Sequence, residues 1–199
     1  MNTPSHYVLN LAVIGAVIQP RVTAAITLGA IGPDLPIFVF YAWAKFIQRL
    51  PESEIWSQAY YQPFWQTIIA LTHSFPVAIV GLLICLALRS HWGLVFFISM
   101  IGHSLLDLPV HNDDAHRHFF PLSNYRFMSP ISYWDPNHYG PIVAGVEMLL
   151  VIAATPFVWP MLETMVARII LVTIPTIYVV GYSRFYLSGA IAQIVQWFS

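Results

Sequence analysis

Long apolar stretches separated by shorter polar ones dominate the pattern of this 199-residue chain. A helix needs about 20 mostly apolar residues to cross the hydrocarbon core of a bilayer. Stretches near that length predict six helices, the first and fourth being the shortest, over residues 4–19, 22–44, 64–88, 92–109, 140–159 and 165–187. The predicted fold is therefore all-α, a polytopic membrane bundle of about six helices that forms a single domain over residues 1–199.

Two polar connections are longer than the others. The connection 45–62 carries an aromatic group typical of a membrane–water interface. Its members are Trp56, Tyr60 and Tyr61. The connection 111–139 is rich in His and Asp, and it separates the first four predicted helices, in residues 1–110, from the last two, in residues 140–199. We expect this loop to be folded, because it contains prolines and a Phe-Phe pair.

An even number of helices places both long connections and both termini on the same side of the membrane. Five basic residues belong to that side: Lys45, Arg49, Arg117, Arg126 and Arg184. Three belong to the other side: Arg21, Arg89 and Arg168. Because Lys and Arg are enriched in cytoplasmic loops, the termini and the long loops are expected in the cytoplasm.

The composition agrees with an integral membrane protein. Hydrophobic residues make up 58% of the chain and charged residues only 9%, whereas soluble domains have about 25% charged residues. The formal net charge is −1 and the eight Lys and Arg residues are scattered, so no nucleic-acid partner is expected. A single cysteine, Cys85, excludes an intramolecular disulfide and a thiolate zinc site. Membrane lipids are the expected partners, and the sequence does not identify a protein partner.

Several ionisable residues fall inside the predicted helices. A charged side chain at the centre of a membrane helix costs about 2.5–3.5 kcal/mol on insertion scales, so such residues tend to be functional or paired. With a rise of about 1.5 Å per residue, they all lie in the half of the bundle next to the long loops. They are His6, Asp34, His73, His103, Asp107 and Glu147. The sequence predicts that these side chains converge.

A metal centre would explain this convergence. His103 and Asp107 are separated by four residues and project from one face of their helix. Imidazoles and carboxylates together suit zinc or another divalent transition metal, and two ions would offset the charge of the carboxylates. A solvated or ion-paired His–Asp pair remains the alternative.

The other intramembrane residues have alternatives of their own. Asp34 follows the helix break Gly32-Pro33 and would also suit the N-terminus of a half-helix. His73 would also be satisfied by a backbone carbonyl, and His6 by solvent near a helix start. Glu147 would serve either as a ligand or as an acceptor that orients a histidine.

Three more histidines follow the fourth predicted helix within eight residues. They are His111, His116 and His118. They would extend the metal site or hold a second ion, while Asp113 or Asp114 would cap a short helix. A solvated polar loop is the alternative, although it accounts poorly for three histidines next to the His103/Asp107 pair.

The order and spacing of these motifs resemble a bacterial family of membrane-bound, metal-dependent hydrolases that includes the LexA-binding inner-membrane proteins. The matching residues are His6, Pro33-Asp34, Thr72-His73-Ser74, Gly102-His103 and Asp107. The loop HNDDAHRHFFPLS…SPISYWDP is similar to that of a subgroup of bacterial membrane proteins, and the match extends over most of the chain. The resemblance implies an inner-membrane location and a distant similarity to zinc phospholipases C and single-strand nucleases, which bind clustered zinc ions through His and Asp.

The chain also departs from that family. Relatives often have His-Arg-Gly before Thr-His-Ser, where this chain has Ile68-Ile69-Ala70. Their Pro-Asp commonly continues as x-Asp-His, where this chain has Leu35-Pro36-Ile37. Up to two expected ligands are therefore missing. Either the loop histidines replace them, or the site holds fewer metal ions, or activity has been lost.

The cluster and the resemblance together suggest a hydrolase of a phosphoester or lipid-type substrate. A bound metal would lower the pKa of a water towards about 7. Asp34 or Asp107 would double as the base, and Arg117 would donate a bidentate hydrogen bond to a phosphate. The main alternative is a non-catalytic membrane assembly or scaffolding protein, in which a structural metal or a His/Asp network fastens the loop. A transporter is a weaker alternative, because the opposite half of the bundle has no comparable polar residues.

Overall fold

The computed structural model describes residues 1–18 and 22–187, and every regular element within them is helical. This confirms the all-α class. The α-helices are α1 Thr3–Val17, α2 Thr23–Ile31, α3 Leu35–Ala42, α4 Glu52–Ser57, α5 Pro63–Thr72, α6 Phe75–Ala87, α7 His91–Asp107, α8 Gly140–Val158 and α9 Met165–Tyr182. The predicted end of the first helix, at residue 19, lies outside the described residues, as does the end of the predicted domain after residue 187.

Among the described residues, three helical segments are long and apolar enough to cross a membrane: Thr23–Ile47, Gly140–Met161 and Met165–Tyr186. The first joins α2 and α3 through a 3-10 turn and continues into a π turn. The bent pair α5–α6 would make a fourth span. Helices α1 and α7 have 15 and 17 residues. They rise about 22 and 25 Å, less than the hydrocarbon core of about 30 Å. The six-helix membrane arrangement therefore stays a prediction.

The third predicted helix, 64–88, is broken into α5 and α6, which meet at a bend of 46°. Pro76 disfavours a continuous helix because it lacks an amide hydrogen and its ring clashes with the preceding turn. Ser74 begins α6 instead, and its hydroxyl accepts a hydrogen bond from the Val77 amide at 3.1 Å. The carbonyl of His73 is then free to accept hydrogen bonds from Ser104 Oγ and His118 Nδ1, both at 3.0 Å.

Helices α2 and α7 pack at very close range. A Cβ atom at Gly29 would lie 2.3 Å from the carbonyl oxygen of Phe96, so this position requires glycine. Helix α1 joins the same contact, because Asn10 Nδ2 donates to the Ser99 carbonyl at 2.7 Å. The Ser99 hydroxyl in turn donates to the Ile26 carbonyl at 2.6 Å. These contacts align the ends of three helices that carry site residues.

The apolar core lies between α1, α2, α7, α8 and α9. Its fully buried members include Val8, Leu11, Ile26, Val151 and Leu171. The buried histidines and acids lie together at one end of this core, next to the long connections. The core thus holds the helices that carry the ionisable residues, while the loop after α7 covers them.

The connection between α7 and α8 folds back onto the bundle. Backbone hydrogen bonds join Tyr133 to Val110 at 2.9 Å and Phe75 to His118 at 2.8 Å. Asp113 and Asp114 lie in turns rather than at the start of the short helix expected there. The Asp114 carboxylate instead contacts His111 Nδ1 at 2.9 Å, so it does not cap a helix.

Candidate metal centre

Two groups of three buried side chains lie at the loop end of the core. The first consists of His6, Asp34 and His103, and the second of His73, Asp107 and His116. Within each group the candidate ligand atoms lie within 4.8 Å of one another. The side chains come from distant parts of the chain: α1, the 3-10 turn after α2, the α5–α6 break, α7 and the loop after α7. Every member is buried, and Asp34 is the most exposed at 8%.

The carboxylates connect the two groups. Asp107 Oδ2 lies 3.0 Å from His103 Nε2 and 3.9 Å from His73 Nε2. Asp107 Oδ1 lies 2.9 Å from His6 Nε2. Asp34 Oδ1 lies 3.4 Å from His73 Nε2 and 3.6 Å from His103 Nε2. Each carboxylate therefore contacts imidazoles of both groups, so the two groups form one continuous centre.

Backbone carbonyls set the protonation of two of the imidazoles. His103 Nδ1 lies 2.7 Å from the carbonyl oxygen of Ala30, and His73 Nδ1 lies 2.8 Å from that of Ile69. A carbonyl can only accept, so each Nδ1 carries the hydrogen and, in the neutral ring, Nε2 is a bare acceptor. Metal-binding histidines typically have this arrangement, in which the second nitrogen donates to a carbonyl or carboxylate.

The spacing of the acceptors fits a shared cation. Two ligands of a tetrahedral zinc ion, each about 2.0–2.1 Å from it, lie about 3.3 Å apart. The distances from His103 Nε2 and His73 Nε2 to Asp34 Oδ1 are 3.6 and 3.4 Å. His103 Nε2 is fully buried and makes no hydrogen bond with any described residue, although Asp107 lies 3.0 Å away. In the neutral form of the ring, His103 Nε2 and the Asp107 carboxylate are both acceptors, and a metal ion between them would satisfy both.

The imidazole rings also pack face to face. His6 stacks on His103 with ring centroids 3.7 Å apart, and His73 stacks on His116 at 4.0 Å. Burial, together with the neighbouring His73 and His111, holds the pKa of His116 well below its usual value. His116 is therefore a neutral imidazole at neutral pH, which is the form that binds a metal.

His111 borders the centre. Its Nε2 lies 3.1 Å from Asp107 Oδ1 and its Nδ1 lies 2.9 Å from Asp114 Oδ2. Burial opposes protonation of His111, but the two carboxylates raise its pKa above the usual value. The N-terminal ammonium group of Met1 also lies 2.8 Å from Asp107 Oδ1. The Oδ1 atom of Asp107 thus already lies next to nitrogen groups that carry or can accept a positive charge.

His118 lies behind the centre. Its ring stacks on Phe75, with centroids 5.4 Å apart, and is 6.5 Å from the ring of His73. Its Nδ1 donates to the carbonyl of His73 at 3.0 Å. Burial lowers the pKa of His118 to about 4. His118 thus contacts the backbone of His73 and lies outside both groups of three, so its role as a metal ligand stays a prediction.

The side chains of Arg117 and Glu147 make their contacts outside the metal centre. The Arg117 guanidinium donates to the Gln66 carbonyl at 2.6 Å and to Asn124 Oδ1 at 3.0 Å, and it lies over the Phe120 ring. The described part of the chain thus places Arg117 away from the residues that line the cavity next to the metal centre. Glu147 accepts hydrogen bonds from α1 and α9 residues and orients no histidine among the described residues.

A cavity of about 780 Å³ leads to the centre. Asp34 of the first group and His116 of the second both line it, together with His111. Its walls are largely aromatic: Phe38, Trp56, Tyr60, Tyr61, Tyr133 and Trp134. The side chains of Phe38 and Trp56 are 53% and 45% exposed, so the aromatic wall reaches the protein surface. Both groups can therefore be approached from outside.

Some contacts of the centre were not expected from the sequence. Thr3 Oγ1 donates to Asp34 Oδ2 at 2.5 Å, and Asp114 pairs with His111. Thr3 precedes Pro4 and looks like a local helix cap, so only the packing of α1 against the Gly32–Asp34 turn shows its role. The aromatic residues of the 45–62 connection were expected at the interface, but the sequence did not place them on a cavity wall.

Comparisons of the chain with protein-family models, curated proteins and solved structures found no match. The resemblance to the inner-membrane hydrolases therefore stands on the quoted motifs alone. The geometry of the two His/Asp groups provides the independent argument about function.

Proposed function

We propose that this chain is a membrane-embedded, metal-dependent hydrolase that binds two divalent ions, zinc or a similar transition metal, and cleaves a phosphoester of lipid type. One observation carries the proposal. Two adjoining groups of buried His and Asp side chains each place a member on the wall of one accessible cavity. A structural metal has a closed set of ligands, whereas a catalytic metal keeps a position open.

The two groups would hold one ion each. His6, Asp34 and His103 would bind the first ion, and His73, Asp107 and His116 would bind the second. Ions bound there would supply an acidified water and a Lewis acid for the scissile ester. The hydrogen bonds of His103 and His73 to the carbonyls of Ala30 and Ile69 keep the ring orientations that such binding needs.

Asp34 suits the role of proton acceptor better than Asp107 does. Asp34 lines the cavity, and its Oδ2 is held by the hydroxyl of Thr3. Asp107 is 1% exposed and is enclosed by imidazoles of His6, His103 and His111. Asp34 would therefore accept the proton of the attacking water, and Asp107 would hold the ligands together. Arg117, which bonds to Gln66 and Asn124, has no part in this proposal.

The walls of the cavity support an amphiphilic substrate. A phosphoester would reach Asp34 and His116 at the inner end, while Phe38 and Trp56 would contact an acyl chain at the surface. Trp and Tyr are enriched where membrane lipids meet water, which is where such a substrate would enter. The aromatic lining is the support for a lipid over a soluble phosphoester.

The first experiment is elemental analysis of detergent-purified protein. Wild type is expected to carry two metal ions per chain and His103→Ala to lose the ion of the first group, while His91→Ala, at the opposite and exposed end of α7, keeps both. Wild-type protein without stoichiometric metal would refute the proposal at its first step.

The second experiment measures cleavage of phosphodiesters and phospholipids. Activity should disappear in Asp34→Asn together with Asp107→Asn. Activity that survives this double change would contradict the assignment of the centre. Metal without any turnover would favour the non-catalytic alternative, in which the metal fastens the loop to the bundle.

A further inference from the structure

A second cavity, of about 340 Å³, lies between α8, α9 and the loop before α8. Among its described lining residues the carboxylate is that of Glu147, which is only 3% exposed and lies about 10 Å along α8 from the start of the helix. The described residues that line this cavity include no Lys, Arg or His. The cavity is therefore a site of negative potential beneath the loop end of the bundle.

The carboxylate of Glu147 is only half satisfied. Its Oε1 accepts hydrogen bonds from the backbone and side-chain nitrogens of Asn2, from the hydroxyl of Ser5 and from that of Tyr178. Its Oε2 is fully buried and has no hydrogen-bond partner among the described residues. A buried carboxylate oxygen without a partner is costly, so it calls for a donor that the chain itself does not supply there.

Aromatic residues line the same cavity as this carboxylate. The cavity is lined by Tyr133, Trp134, Tyr178, Tyr182 and Tyr186. The rings of Tyr182 and Tyr186 lie 5.2 Å apart at an angle of 52°. Aromatic faces next to a carboxylate form a typical site for an alkylammonium group, because the ring quadrupole and the negative charge both attract a cation.

The position of the cavity indicates where such an ammonium group would come from. The two cavities share Asn2, Pro4, Tyr133 and Trp134 on their walls, so the Glu147 cavity adjoins the one that reaches the metal centre. Its lining also includes Ile177 and Phe185, which are 63% and 79% exposed on apolar α9 and the turn after it. A ligand that reaches both cavities would carry an ammonium group beside a phosphate and apolar chains.

We infer that the Glu147 cavity binds the ammonium group of an amine-headed phospholipid. The ammonium contact at Glu147 does not depend on the metal centre. That the ammonium group belongs to a phospholipid, and that this lipid is the substrate, rest on the proposed function.

The test is native mass spectrometry of chelator-treated protein titrated with phosphatidylethanolamine and phosphatidylglycerol of identical acyl chains. Wild type should bind the ethanolamine lipid roughly tenfold more tightly. Glu147→Gln should abolish this preference, while Glu163→Gln, which removes an exposed acid between α8 and α9, should retain it. Because metal is absent, the result is independent of whether the protein is a hydrolase.

A second variant and a competition experiment with a free amine complete the test. Tyr182→Leu removes an aromatic wall and should weaken the preference even if Glu147→Gln proves unstable. Free ethanolamine should compete with the ethanolamine lipid. Equal affinity of wild type for the two lipids would overturn the inference. This holds even if free ethanolamine binds, because the inferred ligand is a phospholipid. An unchanged preference in Glu147→Gln or Tyr182→Leu would overturn it as well.

Discussion

His103 Nε2 lies 3.0 Å from Asp107 Oδ2, one helical turn further along α7, yet makes no hydrogen bond with it or with any other described residue. The proton of the neutral ring is on Nδ1, which donates to the Ala30 carbonyl at 2.7 Å. In that neutral form, two acceptors face each other in a buried site. A metal ion between the two acceptors would replace their mutual repulsion with attraction to the ion. Removal of the metal should therefore have a measurable effect.

Metal removal should lower the stability of the folded protein. Binding to the folded state alone stabilises it by about 2.7 kcal/mol when free metal is about 100 times the dissociation constant. Thermal unfolding of wild type in detergent should therefore shift to lower temperature in chelator and recover when zinc is added back. His103→Ala should show a smaller chelator shift than wild type, because it lacks a ligand of the first ion, and a chelator shift of wild-type size in this variant would argue against binding at His103.

The hydrogen bond from His118 to the His73 carbonyl should support metal binding without direct contact to the ion. His118→Leu removes the donor and should weaken metal affinity about tenfold, as loss of supporting hydrogen bonds typically does. His118→Asn is the matched control, because its amide can donate from nearly the position of Nδ1. Competition titrations with a metal-sensitive dye would measure both variants. Equal affinities in the two would mean that this hydrogen bond does not position His73.

The cap of α6 should matter to the centre as well as to the helix. Ser74→Ala and Ser90→Ala each remove an N-cap hydroxyl and should each cost about 1 kcal/mol of stability. Ser74 adjoins His73 and also donates to the Phe120 carbonyl, whereas Ser90 caps the opposite end of α7. Metal content should therefore fall in Ser74→Ala and remain unchanged in Ser90→Ala. The same metal content in both variants would show that the break at His73 does not depend on this cap.

The contact between α2 and α7 should be intolerant of even one methyl group. A Cβ atom at Gly29 would meet the Phe96 carbonyl oxygen at 2.3 Å, so Gly29→Ala must push the helices apart at a cost of about 1–3 kcal/mol. That shift would also draw the Ala30 carbonyl away from His103. Gly181→Ala in α9 is the control, since a Cβ atom there would meet no packed neighbour among the described residues within 4 Å. The unfolding temperature and the metal content should both fall in Gly29→Ala and stay close to wild type in Gly181→Ala.

All members of the two His/Asp groups are among the residues that the sequence singled out. Their types and positions made this feasible, because an ionisable side chain inside an apolar helix is conspicuous. The contacts that each of these side chains makes could not be predicted from the sequence in the same way. Nothing in the sequence separates His116 from His118, for example, since both follow α7 in an irregular loop. Only the folded loop stacks His116 on His73 and turns His118 towards the His73 carbonyl.

The roles of Glu147 and Arg117 show the same limit. From the sequence, Glu147 was grouped with the other intramembrane residues because its depth along the helix matched theirs. The depth of a residue along its helix does not determine the direction of its side chain, however, because that direction depends on how α8 is rotated in the bundle. The structure turns Glu147 towards Asn2, Ser5 and Tyr178, and it directs Arg117 towards Gln66.

By itself, the sequence determined the helical class, the apolar character of the chain and the kinds of side chain at one end of the bundle. These properties follow from composition and local periodicity, which act over one or two helical turns. The tertiary structure alone decided the pairing of Asp34 with His73 and His103 and the separate cavity at Glu147. Each depends on the distance between residues far apart in the chain, and that distance is set by how helices pack, as the contact at Gly29 illustrates.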